Sequence, residues 1–523
     1  MATETKPAMR ELVSTNPADG SIVGRFPVME DTQIADAVES AKSAQPSWQA
    51  RSLRERLRIL GRFQRLLHER KLQVAELITR EAGKPSVEAL LTEVLVVLDA
   101  VRFLNRHAHE VLRPEVVPHG NLILKAKRGR LLREPYGVIA IISPWNYPFS
   151  IPATETLAAL AAGNAVLLKP SEFTPAVAVE LAAMLHTAGV PTDVLQVIMG
   201  EGPAGATLLR APIDKVIFTG SVATGKRIAQ AAAERLLPVV LELGGKDPMI
   251  VLEDADIEVA SSAAVWGAFV NAGQTCLSVE RCYVHRNIYD RFLSACVAKT
   301  GKLRVGSGVD REVEVGPMIH ERQLQIVEAH VNEARSLGAR LLCGGERLPQ
   351  LGRNFYAPTV IADVNHSMRL LREETFGPVL PIMPFDTVDE AVRLANDSEF
   401  GLAASIFSGS RACGEGLARR LHAGTVLVND VICGFGVSEA PHGGIKSSGL
   451  GRTHGRLGLE EMVRVKYVDS DLVPGMKKLW WYGYGGKLER QMADFTDMLF
   501  APGWAKRLRG ALGSTGALIR KRL

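Results

Sequence analysis

The pattern of hydrophobic and polar residues divides the chain into a helical beginning and a longer region of alternating elements. Between residues 30 and 112, apolar residues recur at helical spacing with charged residues between them, as in SLRERLRILGRFQRLLHERK. The next segment, NLILKAKRGRLLREPYG (residues 121–137), alternates apolar and basic residues around a central glycine, which predicts a β-hairpin. Residues 30–112 are therefore predicted to be helical, with a hairpin after them.

From residue 137 onward, short β-branched runs alternate with alanine-rich segments. The runs are GVIAIISP, NAVLLKP, VLQVIMG, KVIFTG, VVLELGG and MIVLED, and most end at glycine or proline. Buried strands separated by helices predict an α/β fold with a doubly wound parallel sheet. A second series follows residue 260, with helices expected near 318–337 and 387–396 and strands near 357–361 and 424–429.

Composition narrows the class of protein. With 523 residues the chain is too long for one core, which predicts two or three domains. The six cysteines include no C-x-x-C pair and no Cys/His cluster with zinc spacing, so no metal site is expected and a reduced setting is favoured. Because the N-terminus has no apolar signal core and no stretch is long enough to span a membrane, we expect a cytoplasmic protein.

The net charge of +5 is concentrated at the C-terminus, where the residues from 477 onward include ten Lys or Arg and three Asp or Glu. The rest of the chain is slightly acidic, which gives no support for a nucleic-acid partner. The tail also places Leu488, Met492, Phe495 and Leu499 on one helical face, followed by the basic segment WAKRLRGAL. Two interpretations stay open: peripheral docking on an anionic membrane, and packing on the protein or its oligomer partner.

Two residues in separate segments could carry nucleophilic and acid–base chemistry. Cys276 follows Gly-Gln-Thr after a predicted helix, where donors and dipoles can lower the pKa of a thiol. Glu242 ends the apolar run VVLELGG, where burial would raise its pKa and suit it to activate water. The simpler interpretations are a small buried residue and a surface acid, respectively. Cys282 lies in the strand-like run RCYVH and is expected only to pack.

Two further segments could bind an oxyanion or a ribose. Asn146 lies between Trp145 and Tyr147 in a loop held by two prolines, and its amide could donate to an oxyanion, although Asn is also common in turns. Lys169 and Glu172 follow a predicted strand and could bind ribose hydroxyls. A carboxylate there would repel a 2′-phosphate, which favours NAD over NADP.

Two glycine-rich segments are candidates for a pyrophosphate site. In FTGSVATGK, the spacing from Gly220 through Ser221 to Gly225 suits a helix N-terminus, although the full dinucleotide fingerprint is missing. GEGPAG (residues 200–205) is a formal G-x-G-x-x-G match after a strand-like run. Because Pro203 removes a backbone donor, we interpret that second segment as a structural turn.

Seven segments together identify a family resemblance: SPWNYPF, GNAVLLKPSE, FTGSVATGK, LELGGKDP, GQTC, EETFGPV and PHGGIKSSGLGR occur in this order. Over roughly residues 12–468 the chain resembles the aldehyde dehydrogenase superfamily. The resemblance implies NAD(P)-dependent oxidation of an aldehyde to an acid through a cysteine thiohemiacetal and thioester, without a metal. It implies two α/β domains in a homodimer or homotetramer. The expected parts are an NAD-binding domain (1–112 and 136–243), a catalytic domain (244–445), an oligomerisation arm (113–135 and 446–470) and a C-terminal tail (471–523).

The resemblance also assigns roles to residues. Cys276 would be the nucleophile, Glu242 the general base and Asn146 the oxyanion-hole amide. A glutamate at position 242 favours hydrolysis of the thioester over transfer of the acyl group to coenzyme A. The alternatives to a hydrolytic dehydrogenase are an enzyme that acylates coenzyme A and a catalytically retired homologue that acts as a scaffold on membranes. Docking of the tail on membranes would favour long-chain or lipid-derived aldehydes. The expected contacts to NAD, with NADP as the alternative, are Trp145, Lys169, Glu172, Gly220, Ser221, Gly225, Leu243, Glu374 and Phe376.

Overall fold

The computed structural model describes residues 10–475, 478 and 480–518, which form two compact units. The first unit comprises the described residues up to 113 together with residues 134–464. The second comprises residues 114–133 and the described residues from 465 onward.

Helices dominate the chain up to residue 112, as the apolar spacing predicts, and strands and helices alternate after residue 137. The strands are β1 (Glu11–Thr15), β2 (Ile22–Pro27), β3 (Glu115–Val117), β4 (Lys127–Pro135), β5 (Val138–Ile142), β6 (Ala165–Lys169), β7 (Leu195–Val197), β8 (Lys215–Thr219), β9 (Val239–Glu242), β10 (Asp247–Val251), β11 (Val279–His285), β12 (Arg340–Cys343), β13 (Thr359–Ala362), β14 (Val379–Phe385), β15 (Ala403–Phe407), β16 (Thr425–Val428), β17 (Gly449–Leu450) and β18 (Val463–Asp471). The α-helices are α1 (Asp31–Gln49), α2 (Leu53–Glu69), α3 (Lys71–Ala82), α4 (Ser86–Ala89), α5 (Leu95–Leu112), α6 (Ser150–Ala162), α7 (Pro175–Ala188), α8 (Gly202–Arg210), α9 (Val222–Ala233), α10 (Ile257–Phe269), α11 (Tyr289–Thr300), α12 (Glu321–Ser336), α13 (Arg369–Arg372), α14 (Val388–Asn396), α15 (Arg411–Ala418), α16 (Gly455–Glu460), α17 (Gly486–Phe500) and α18 (Trp504–Leu518).

A six-stranded sheet has the order β17-β9-β8-β5-β6-β7, in which β17 is antiparallel and the other five strands are parallel. Strands β5 and β6 are buried along their whole length, because helices cover both faces of a doubly wound sheet. This burial explains their unbroken apolar sequences. The carboxyl ends of β6, β5, β8 and β9 lie along one edge of the sheet, where ligands of such folds bind.

A seven-stranded sheet has the order β12-β13-β14-β11-β10-β15-β16, with only β12 antiparallel among its described strands. Each parallel sheet has its own hydrophobic core. Strand β9 ends the first sheet at Glu242 and β10 begins the second at Asp247, so residues 243–246 connect the two sheets. The predicted α/β fold with two doubly wound parallel sheets is confirmed.

The predicted hairpin exists, but its turn differs from the expectation. Strand β3 pairs antiparallel with β4, and a 3₁₀ segment, Leu122–Leu124, lies in the connection. The glycine expected at the turn, Gly129, lies inside β4, and a Cβ there would come within 2.7 Å of the Tyr467 hydroxyl. Gly129 is therefore required by the close approach of β18, which completes a three-stranded sheet with β4 and β3.

The GEGPAG segment is also different from the expected turn. Gly202 is the first residue of α8, and Gly200 precedes the helix with a φ of +155°. A Cβ at Gly205 would contact the Lys169 side chain at 3.4 Å. The segment is therefore a strand-to-helix junction that packs beside the end of β6.

The C-terminal tail forms two helices. On α17, Leu488 and Phe495 are buried while Met492 and Leu499 are half-buried, which agrees with the predicted apolar face. Helix α18 packs on α17. No helix in the described part of the chain is both long and apolar enough to cross a bilayer.

Candidate active site

A mostly apolar cavity of about 440 Å³ lies where β9 ends and where the chain continues beyond α10. Cys276 and Glu242 both line it, so the structure brings together two residues that are separated by 34 positions in the sequence. The other lining residues include Leu91, Thr92, Val96, Tyr147, Ile151, Thr154, Glu155, Thr219, Leu243, Trp266, Thr275, Leu277, Leu402, Ile432, Cys433, Phe435, Val437, His442 and Thr453.

Cys276 is held in a sharply turned loop after α10. Asn271 and Ala272 have φ values of +53° and +55°, which lets the chain reverse directly after the helix. A side chain at Gly245 would collide with the Cys276 carbonyl group, so this glycine allows the loop to approach the connection between the two sheets. The loop thus fixes the position of Cys276, whose side chain is half-buried at the cavity wall.

The electrostatics at Cys276 differ from the sequence expectation. Burial raises the pKa of the Cys276 thiol, and the nearby carboxyl groups of Asp247, Glu374 and Glu242 raise it further. The expectation of a lowered thiol pKa is therefore wrong for the protein alone, because burial and acidic neighbours outweigh local donors. The resting residue is a neutral thiol that must lose its proton within the cavity.

Asn146 lies against the Cys276 loop. Its side-chain Nδ2 donates to the carbonyl oxygen of Gln274 at 3.1 Å, which orients the amide and leaves its second N–H available. Two side chains hold its backbone carbonyl: Lys84 Nζ donates to it at 2.7 Å and Asn271 Nδ2 at 3.0 Å. Lys84, whose buried ammonium also pairs with Glu93 at 2.6 Å, was not found from the sequence.

Glu242 is buried at the end of β9, and neither of its carboxyl oxygens has a hydrogen-bond partner among the residues that the structure describes. Gly443 leaves room for it, since a Cβ there would lie 2.9 Å from Glu242 Oε1. Burial raises the pKa of Glu242 well above its ordinary value, Glu155 raises it further, and Arg452 lowers it. Once ionised, such a carboxyl group is a stronger base than an ordinary glutamate.

Glu155, a second buried carboxyl group, was not found from the sequence. It lies on α6, lines the same cavity as Glu242, and accepts a hydrogen bond from Thr219 Oγ1 at 3.4 Å. Burial raises the pKa of Glu155 to about 8. The available signal was an acid within the otherwise apolar helix SIPATETLAALAA.

Lys169 and Glu172 lie at the carboxyl end of β6. Lys169 is buried, its Nζ donates to the Pro170 carbonyl at 2.8 Å, and burial lowers its pKa. Glu172 is half-buried three residues later. A lysine and a glutamate at this edge match the donor and acceptor requirements of ribose hydroxyls.

The segment after β8 forms a helix N-terminus, as predicted. Helix α9 begins after Ser221, whose Oγ accepts from the Thr224 backbone N–H at 3.3 Å. A Cβ at Gly225 would overlap the Leu243 side chain, so α9 packs closely on the end of β9. Gly220 and Ser221 thus lie at the same sheet edge as Lys169, and the first turn of a helix at such an edge suits a pyrophosphate. The Gly220 N–H itself donates to the Glu242 backbone carbonyl at 3.0 Å.

Glu374 and Phe376 lie in the loop before β14. Glu374 Oε1 accepts from the Gly245 N–H at 3.0 Å, and burial raises the pKa of Glu374 to about 8. Glu280 holds the loop by accepting from the N–H groups of Thr375 and Phe376, both at 2.8 Å. The Phe376 ring lies 5.4 Å from that of Trp145 in an edge-to-face contact.

Glu280 itself forms a buried ion pair with Lys246, which follows directly after Gly245. This pair therefore ties the Glu374 loop to the connection that also contacts Cys276. Neither residue of the pair was found from the sequence. The predicted cofactor contacts thus form two groups, one along the edge of the six-stranded sheet and one beside the Cys276 loop.

A half-buried cysteine and a buried glutamate at one cavity, beside the carboxyl edge of a parallel sheet, are typical of an enzyme with a nucleophilic cysteine, and comparisons with known proteins give the family. The aldehyde dehydrogenase family model matches residues 4–468. The chain is 39% identical to the 4,4'-diapolycopene aldehyde oxidase of a Methylomonas species over 94% of this chain and 92% of that protein. It is 38% identical to the mitochondrial succinate-semialdehyde dehydrogenase of Oryza sativa subsp. japonica, over 87% and 85% of the two chains.

The fold agrees with these matches. The structure of an aldehyde dehydrogenase from Bacillus cereus in complex with NAD⁺ superposes with a TM-score of 0.85 at 34% identity, covering 89% of this chain and 94% of that one. The chain belongs to the aldehyde dehydrogenase family. It is an oxidoreductase that acts on aldehydes with NAD or NADP.

Proposed function

We propose that this enzyme oxidises long, apolar aldehydes to carboxylic acids, with Cys276 as the nucleophile, Glu242 as the general base and Asn146 as an oxyanion donor. The observation that carries the proposal is that Cys276 and Glu242 line one apolar cavity while the Asn146 amide is fixed against the Cys276 loop. Hydrolysis by Glu242 is preferred over transfer to coenzyme A, because the buried carboxyl group lines the same cavity as the thiol and, once ionised, can take a proton from water.

The first step is attack of the Cys276 sulfur on the aldehyde carbon. The thiol proton passes to water in the cavity as the C–S bond forms, which places negative charge on the former carbonyl oxygen. The second N–H of the Asn146 amide and the backbone N–H of Cys276 donate to this oxygen. Each such donor contributes roughly 3 kcal/mol of transition-state stabilisation. Lys84 acts indirectly, because it fixes the backbone of Asn146.

The later steps oxidise the substrate carbon and then release the product. When bound, NAD(P) supplies the acceptor to which the substrate carbon transfers hydride, which leaves a thioester on Cys276. Glu242 then takes a proton from water as the water oxygen attacks the thioester carbon. The C–S bond breaks, the carboxylic acid leaves and the Cys276 sulfur takes the proton from Glu242, which restores both the thiol and the base.

The cofactor is held by the two groups of residues described above. Lys169 and Glu172 bind the adenosine ribose, and the N-terminus of α9 at Gly220, Ser221 and Gly225 binds the pyrophosphate. Trp145, Leu243, Glu374 and Phe376 lie beside the reacting end. Residues 1–112 and 136–243 are then the NAD-binding domain and residues 244–445 the catalytic domain. The carboxylate of Glu172 favours NAD, since it repels a 2′-phosphate.

The cavity wall supports an apolar substrate. Among the described residues, no lysine or arginine lines the cavity, and the pKa of His442 is lowered by burial to about 4, so this histidine is neutral. A substrate carboxylate such as that of succinate semialdehyde would find no cationic partner there, and it would lie beside the carboxyl groups of Glu155 and Glu242. A long hydrocarbon chain would instead contact Leu91, Val96, Ile151, Trp266, Leu402 and Phe435.

The substrate proposal predicts a rise in kcat/KM with chain length. Each methylene that the cavity buries is expected to raise kcat/KM by up to about fourfold. NADH absorbance is followed for straight-chain aldehydes from acetaldehyde to dodecanal with NAD and with NADP, and succinate semialdehyde is compared with butanal. A profile that is flat with chain length, or a preference for succinate semialdehyde, would contradict the proposal.

A matched pair of variants tests whether the cavity wall determines the preference for long-chain aldehydes. Trp266→Ala removes a cavity side chain of α10, whereas Val259→Ala truncates an exposed side chain on the same helix that does not line the cavity. The first variant should lower kcat/KM for decanal while leaving acetaldehyde nearly unchanged, and the second should match the wild type with both.

Glu155→Gln is expected to shift the acid limb of the pH–kcat profile to lower pH. Glu155 raises the pKa of Glu242, because a negative charge on Glu155 stabilises the protonated form of Glu242. Removing that charge lowers the pKa of Glu242, and the basic form then persists to lower pH. Glu76→Gln, the same change at an exposed site on α3, is the control. An acid limb that stays in place or moves to higher pH would refute this coupling.

Two further assignments concern assembly. The three-stranded sheet of β18, β4 and β3 contributes the oligomerisation arm (113–135 and 446–470) of a homodimer or homotetramer, which mass measurement in solution tests.

The basic tail (471–523) docks peripherally on an anionic membrane, consistent with a long-chain aldehyde substrate. A catalytically inactive homologue that acts as a membrane scaffold is the weaker alternative, because a scaffold would not need the buried carboxyl group of Glu242 beside a thiol. Detectable NADH formation would exclude this alternative.

A further inference from the structure

The inner side of α18 is covered by α17. A Cβ at Gly510 would overlap the backbone of Asp494 and Met498, and Gly513 is similarly close to Asp494. Ser514 Oγ lies 3.9 Å from Met498 Sδ. Gly510, Gly513 and Ser514 therefore mark the side of α18 on which the two helices approach each other closely.

The opposite side of α18 carries a continuous apolar stripe. Trp504, Leu508 and Leu512 recur every four residues, so they stack along one side of the helix, away from Gly510 and Ser514. Their side chains are 80%, 56% and 71% exposed, respectively. Phe500, at the end of α17, is 75% exposed. An ordered apolar stripe of this kind on a helix surface marks an interaction site.

The charges beside the stripe indicate the partner. Arg507 and Arg509 are exposed and lie on either side of it, and Arg507 Nε also donates to the Ala501 carbonyl oxygen at 2.6 Å. Lys506 is turned toward α17 and pairs with Asp497 at 3.1 Å. A second copy of the chain meeting this stripe symmetrically would bring arginines against arginines. An anionic lipid surface instead complements them, and Trp, Leu and Arg on one short helix are typical of segments that lie in the bilayer interface.

We infer that α18 lies in the plane of an anionic membrane surface, with Trp504, Leu508 and Leu512 inserted among the acyl chains and with Arg507 and Arg509 at the headgroups. This inference rests on the proposed membrane association and names the surface that performs it. Helix α17 acts as the platform that holds the stripe outward. The oxidation chemistry does not depend on it, so the two can fail separately.

The test uses the full-length protein and sedimentation with vesicles of phosphatidylcholine alone or with added phosphatidylglycerol. Trp504→Glu combined with Leu508→Glu should lower the partition coefficient on anionic vesicles by at least about tenfold, since two apolar anchors become charged. Leu72→Glu combined with Val259→Glu is the matched control, because these are exposed apolar residues on helices α3 and α10. Arg509→Gln should weaken binding less and make it less sensitive to salt.

Every outcome decides the inference. Binding of the wild type and the control, but not of the stripe variant, to anionic vesicles supports it. Equal binding of the stripe variant, or no binding of the wild type, overturns it. A smaller oligomer of the stripe variant in gel filtration, without vesicle binding by the wild type, would assign the stripe to a subunit interface instead. Oxidation of acetaldehyde without lipid should be unchanged in all variants, which checks their folding.

Discussion

Cys276→Ala is expected to lower dehydrogenase turnover by at least about 10⁴-fold, because the variant has no sulfur to form the thiohemiacetal and the thioester. The backbone N–H and the Asn146 amide would remain in place, so the loss reports the nucleophile and not the oxyanion site. The measurement is NADH formation with decanal at saturating NAD. Mass spectrometry of the wild type quenched during turnover should show the acyl group on the peptide that contains Cys276.

Cys282→Ala is the matched control, since it removes a thiol only six residues away. Cys282 lies fully buried in β11, and its replacement is expected to cost roughly 1 kcal/mol of stability while leaving turnover intact below the melting temperature. Substantial turnover in Cys276→Ala, or a comparable loss in Cys282→Ala, would show that Cys276 is not the nucleophile.

The order of the strands and helices was predictable because it depends on local patterns. Strands β5, β6 and β8 are continuous apolar runs that end at Pro or Gly, and such runs have few alternatives in an α/β protein. The hairpin turn was not predictable in the same way. Gly129 marks the approach of Tyr467, more than 300 residues later, and not a turn.

Only those site residues that lie in recognisable sequence motifs were predictable. Asn146, Glu242 and Cys276 belong to recognisable segments, but the residues that position them do not. Lys84 reaches Asn146 from α3's end, and Glu280 reaches the Phe376 loop from β11, so both contacts depend on tertiary packing.

The electrostatic environment was equally inaccessible to sequence patterns. The pKa of the Cys276 thiol is set by burial and by carboxyl groups of Asp247, Glu374 and Glu242 from three other segments. The local sequence pattern covers only the loop and the preceding helix, and it therefore predicts a lowered pKa for the Cys276 thiol. In the folded protein, burial and the distant carboxyl groups raise that pKa instead.

Glu242→Gln should form one equivalent of NADH per active site in a burst and then turn over about 10²- to 10⁴-fold more slowly than the wild type. The amide is nearly isosteric and still fills the space beside Gly443, so attack by Cys276 and hydride transfer should persist. The missing function is proton removal from water, because no carboxylate remains at that position to accept it. Rapid-mixing absorbance measures the burst, and intact mass measures the accumulated acyl-enzyme.

The site of the block can be tested with hydroxylamine, which attacks a thioester without help from a base. It should restore turnover in Glu242→Gln but not in Cys276→Ala, because only the first variant accumulates the thioester. Glu155→Gln, assayed on the plateau of its pH profile, should show wild-type steady-state turnover, so a general effect of losing a buried carboxyl group is distinguished from loss of the base. If Glu242→Gln showed no burst and hydroxylamine had no effect, Glu242 would act before hydride transfer, as the base that removes the proton from the buried Cys276 thiol.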